Sequence, residues 1–125
     1  MRYIKTIFHI LNISLIIFYL FPGSIFGWFF YDDLQIQPQI TRDFIVSSNH
    51  VYAFSFLAFI GMIYKNNKKK MFIYLIFLGI ILELLHYLIP NRSFQYEDLL
   101  GNLFGVTISI MILKIILFFK EKCRF

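Results

Sequence analysis

Four apolar stretches dominate the chain: Ile4–Phe21, Phe44–Tyr64, Met71–Ile89 and Leu99–Phe119. Each is close to the about 20 residues that a helix needs to cross hydrocarbon. The interruptions are few. His9, Asn12 and Ser14 lie in the first stretch, and Ser47, Ser48, Asn49 and His50 gather near the start of the second. Glu83 is the one charge in the third, and Lys114 stands near the end of the fourth, where its stem can snorkel toward headgroups. A chain of 125 residues has too much surface per volume to hide this quantity of apolar side chain from water. Its hydrophobic share is 59 %, against about 45–50 % for soluble domains. The same arithmetic excludes disorder. The expected fold is all-α: a transmembrane bundle of four helices in a single membrane domain, 1–125, with no repeat, no low-complexity segment and no soluble domain between the spans.

The charges set an orientation. Arg2, Lys5, the Lys65–Lys70 loop, Lys114, Lys120, Lys122 and Arg124 fall on one side, and only Arg42 and Arg92 on the other. Positive loops stay in the cytoplasm, so both termini are expected there. Asp32, Asp33, Asp43, Glu83, Glu97 and Asp98 show the opposite bias. The net charge of +5 therefore reads as topology, and the expected partner is the lipid bilayer of a bacterial cytoplasmic membrane, with no nucleic acid. Cys123 is the lone cysteine, which rules out an intrachain disulfide and a cage of several cysteines around zinc. No cofactor is implied. The first stretch has the basic start of a signal peptide, but Pro22–Gly27 offers no clear A-x-A-like site, so a retained anchor is expected. After it, Trp28-Phe-Phe-Tyr31 followed by Asp32-Asp33 suits a segment lying in the membrane interface.

Ionisable side chains inside a span cost about 2.5–3.5 kcal/mol on insertion scales and usually face the bundle interior. On a third helix running to Ile89, Glu83 lies about 9 Å below the end. His86 at i+3 and Tyr87 at i+4 share its face, and a Glu83–His86 hydrogen bond is expected, either as a structural clasp or as a functional pair. Pro90 stops the helix and opens a polar hairpin to Asp98. Asp98 suits the N-terminus of the fourth helix, as a cap or as a site residue. Asn102, one turn deeper, needs partners, with Glu83 and His86 the candidates. Arg92 is suited to a carboxylate or phosphate, or to a salt bridge with Asp98 or Glu97. Gly101 and Gly105 make a G-x-x-x-G strip for close helix approach, within the chain or in a homo-oligomer.

The run from Glu83 through Arg92-Ser93, Asp98 and Asn102 to Gly105 resembles the VanZ-like family of small integral membrane proteins. That family is recognised by a helix-borne Glu, an Arg-Ser hairpin and an Asp-x-x-x-Asn-x-x-Gly helix start. The resemblance covers about 43–113, with His50 at the position of the family's upstream histidine. Ser47-Ser48-Asn49 stands where relatives often have Asp-Lys nearby, and His86 where many have Gln. The family takes its name from an accessory protein of low-level teicoplanin resistance, so the resemblance implies a cell-envelope role.

Three functions follow from these residues. The first is a non-enzymatic envelope protein whose outward polar pocket binds a lipid-linked or amphiphilic molecule through His50, Glu83, His86, Arg92, Asp98 and Asn102, with no metal assigned. The second is a small membrane hydrolase or transferase. In it Glu83 and His86 act as an acid–base pair, or as metal ligands with His50 and Asp98. The third is a proton path, for which the lysine-rich half of the spans lacks ionisable residues apart from Lys114 and His9.

Overall fold

A computed structural model describes residues 2–123. Arg124, one of the basic residues counted above, lies outside the described residues. Five α-helices are present, with no strand among the described residues: α1 (Arg2–Leu20), α2 (Ile25–Tyr31), α3 (Ser48–Tyr64), α4 (Lys68–Leu85) and α5 (Tyr96–Lys122). The four long helices follow the four apolar stretches, and α2 is the aromatic segment after the first of them. Ser24 caps α2 by accepting from the Gly27 N–H at 3.0 Å, and Asp32 ends it in the left-handed conformation. The loop after α2 folds back over Gly27, whose missing side chain makes room for the Ile36 carbonyl. Asn67 caps α4 through the Lys70 N–H, and the Lys68 ammonium holds the Met62 and Lys65 carbonyls at the end of α3.

Helix α3 packs against α1, α4 and α5, and α4 also touches α1 and α5. The closest seam runs between α3 and α5. Along it Gly101 and Gly105 bring backbones together: a Cβ on Gly105 would lie 2.6 Å from the Val51 carbonyl, and one on Gly101 2.8 Å from that of Ser47. Ser55 and Ser109 continue the seam with reciprocal bonds, Ser55 Oγ to the Gly105 carbonyl and Ser109 Oγ to the Ser55 carbonyl. The glycine strip is thus covered by α3 within the chain.

By length and composition α1 and α5 can each cross a membrane. Only 17 % and 22 % of their apolar windows are buried, unlike the core helix of a soluble protein. Ile7, Ile10, Ile13 and Ile17 of α1 point outward, and every residue of α5 from Lys114 to Lys122 is exposed. The other two long helices do not meet the same measure of length and composition. Helix α3 has 17 residues, a rise of about 26 Å, and α4 starts with three lysines.

Candidate functional site

The polar residues singled out above converge where α1 and α4 end and α3 and α5 begin, here termed the hairpin end. Glu83, His86 and Asn102 are fully buried, and His50 and Asp98 nearly so. The side chains come from different elements: Tyr19 from the last turn of α1, His50 from the first turn of α3, Glu83 and His86 from the end of α4, and Asp98 and Asn102 from the start of α5.

Helix α4 stops at Leu85 rather than continuing toward Ile89, so Glu83 sits two residues from its end. It is nonetheless sealed from solvent, because the hairpin folds over it. Glu83 Oε1 accepts the Gln95 backbone N–H at 3.0 Å and lies 3.2 Å from His86 Nδ1. Glu83 Oε2 is buried without a hydrogen-bond partner. The expected Glu83–His86 contact is present. Tyr87 departs from it: with the helix ended, its ring turns outward and is 69 % exposed.

His86 Nε2 meets the Tyr19 carbonyl at 2.9 Å. A carbonyl oxygen can only accept, so this nitrogen carries a proton. The Nδ1–Oε1 contact then requires one more proton, on the ring or on Glu83. Either way the pair is neutral as a unit, and both ring nitrogens of His86 are engaged inside the protein. That is the bonding of a positioning residue rather than of a free general base.

His50 is organised differently. Its Nδ1 lies 2.9 Å from Asp98 Oδ1 and 2.9 Å from Ser47 Oγ, while no hydrogen bond involves Nε2 among the described residues. With the carboxylate accepting from Nδ1–H, the neutral ring leaves a lone pair on Nε2. Asp98 does not cap α5: Gln95 is the N-cap, without a side-chain bond, and Asp98 turns across the seam to α3.

Asn102 corrects a second expectation. Its partners are neither Glu83 nor His86. Its Oδ1 accepts from the Tyr19 hydroxyl at 2.6 Å, and its Nδ2 donates to the Gly79 carbonyl at 3.1 Å. The missing side chain of Gly79 permits this approach, since a Cβ there would sit 3.0 Å from the Asn102 Cβ. Asn102 therefore ties α5 to α1 and α4. Arg92 also departs from its expected ion pair. It donates from Nε to the Phe21 carbonyl at 3.2 Å and from Nη2 to the Phe18 carbonyl at 3.1 Å. These are the orphan acceptors at the C-terminus of α1, where a cation is favoured. Burial lowers the hold of Arg92 on its proton, and Asp98 and Glu83 act in the opposite direction.

Two cavities adjoin this network. The larger, about 650 Å³, lies among α1, α2, α3 and the loop before α3, with mainly apolar walls that include Leu15, Ala53, Phe56 and Leu57. The smaller, about 280 Å³, is polar and is lined by His86, Asn91, Arg92, Gln95 and Asp98. Arg92 and Gln37 border both. His50 faces the larger cavity only, and Glu83 and Asn102 line neither.

Sequence reasoning missed Tyr19. Its hydroxyl binds Asn102, its carbonyl binds His86, and its ring packs edge-on to His50 at 5.0 Å between centroids. Nothing local marks it, since it is one of 8 tyrosines in a chain rich in aromatics. Comparison with family models, curated proteins and solved structures found no match to this chain.

Proposed function

We propose that this chain is a VanZ-like multi-pass membrane protein of the cell envelope. In this reading α1, α3, α4 and α5 cross the bacterial cytoplasmic membrane with both termini inside, and the hairpin end faces outward. There it binds a lipid-linked or amphiphilic envelope molecule with an anionic headgroup. The observation that carries the reading is the pairing of an apolar cavity of about 650 Å³ with a polar one of about 280 Å³ across Arg92. An amphiphile has this division of chemistry. Its chain would lie against Leu15, Ala53, Phe56 and Leu57, and its headgroup would meet the donors of Arg92 not used by α1. The lysine-rich connection between α3 and α4 and the outward apolar faces of α1 and α5 support the topology.

The alternative of a hydrolase or transferase built on Glu83 and His86 has less support, because both nitrogens of His86 are held by Glu83 and Tyr19.

Native mass spectrometry of the detergent-purified chain with a polyprenyl phosphate, against a zwitterionic lipid of matched chain length, tests the proposal. The expected result is preferential retention of the phosphate lipid. Arg92→Ala should reduce that preference about tenfold, and Ala53→Phe should reduce retention of both lipids by filling the apolar cavity. Equal retention of both lipids by the parent chain, or no effect of either substitution, would overturn the reading. A reporter fused after Asn66 should be cytoplasmic; an external reporter would refute the topology.

A further inference from the structure

We infer that His50, Glu83 and Asp98 form a binding site for one divalent transition-metal ion of the Zn²⁺ class. One ring nitrogen of His50 and one carboxylate oxygen each from Glu83 and Asp98 lie within 4.8 Å of one another. They come from α3, α4 and α5, so an ion there would join three helices. Ligands at about 2.0–2.2 Å around a tetrahedral ion stand about 3.4 Å apart, so small rotamer adjustments suffice. The donor set of one imidazole and two carboxylates is the mixed nitrogen–oxygen chemistry that Zn²⁺ accepts.

A second observation points to a ligand independently of the clustering. Glu83 is fully buried, and its Oε2 has no partner, although an unpaired buried carboxylate oxygen is costly. His86 and the Gln95 N–H already hold Oε1, which fixes the carboxylate plane and leaves Oε2 for an ion. No lysine or arginine forms a salt bridge with Glu83 or Asp98 among the described residues, and Arg92 is engaged with the carbonyls ending α1. A divalent cation would sit between the two carboxylates in an apolar setting and meet the charge of Asp98, that of Glu83 being already shared with His86. Three protein ligands leave a further coordination position, and the ligands reach both cavities: His50 borders the larger and Asp98 the smaller.

This inference goes beyond amphiphile binding, since a chain that bound zinc and no lipid would uphold it. The test uses the full chain in detergent, stripped with a chelator and dialysed against Zn²⁺ alone. Metal analysis is expected to give one ion per chain. His50→Ala and Asp98→Asn should each weaken binding by tenfold or more, while His9→Ala, in the first half of α1 beside Tyr64, should leave it unchanged. Because a variant can lose its fold, melting of the parent chain provides a second reading. Zn²⁺ should raise the melting temperature of the parent and of His9→Ala, and not that of His50→Ala. Absence of a bound ion in the parent chain, or binding that survives His50→Ala and Asp98→Asn, would overturn the site and mark any ion found as adventitious only.

Discussion

At the lysine end, α1, α3 and α4 meet through Phe8, Gly61, Met62 and Met71, with the Phe8 ring against the backbone of Gly61. At the hairpin end the same helices meet α5 through Tyr19, His50, Glu83, His86 and Asn102. Both ends are buried, yet their packing obeys different rules. Apolar contacts at the lysine end are non-directional, so shape alone matters and a similar volume can replace another. At the hairpin end each polar atom needs a partner at a set distance and angle, and removing one group strands the others. The same helices therefore carry a tolerant half and an exacting half.

Substitutions at the two ends should separate widely. Glu83→Ala would leave His86 Nδ1 and the Gln95 N–H unpaired in the interior, at a cost of about 4 kcal/mol read by unfolding in detergent. A cost under about 1 kcal/mol would show that the network is slack. Asn102→Leu keeps the branched shape, strands the Tyr19 hydroxyl and removes the tie to the Gly79 carbonyl, with an expected loss of about 3 kcal/mol. Met62→Leu, equally buried at the other end, should cost less than about 1.5 kcal/mol. A loss for Met62→Leu matching that for Asn102→Leu would erase the distinction between the ends.

The helical architecture was largely readable from the chain. Each apolar stretch became a helix, with boundaries displaced where local chemistry intervened. Helix α3 starts at Ser48 rather than Phe44 because Asp43 Oδ1 accepts the Ser48 N–H at 2.7 Å and the preceding backbone leaves the helical path. Helix α4 ends before Pro90, which also displaced Tyr87 from the face of Glu83. The i, i+3 contact between Glu83 and His86 was readable because helical geometry alone produces it. The partners of Asn102 and Arg92 were not. Periodicity tells which face a residue occupies, but not which helix stands opposite or where its carbonyls end. Tyr19 lies 83 residues from Asn102, and no spacing rule links them.

Arg92 reaches back over 71 residues to the Phe21 carbonyl, and His50 waits for a carboxylate that belongs to the last helix. Synthesis runs from α1 to α5, so Arg92 finds its acceptors already made, whereas His50 and Tyr19 wait for the last helix. A nascent chain that has released α1, α3 and α4 still holds a His50 without its carboxylate and a Tyr19 hydroxyl without its acceptor. Only the emergence of α5 completes the set, all at once, through Asp98 and Asn102. A product truncated before the final helix would keep its other apolar helices while its Tyr19 hydroxyl and His50 ring lacked the partners that α5 supplies.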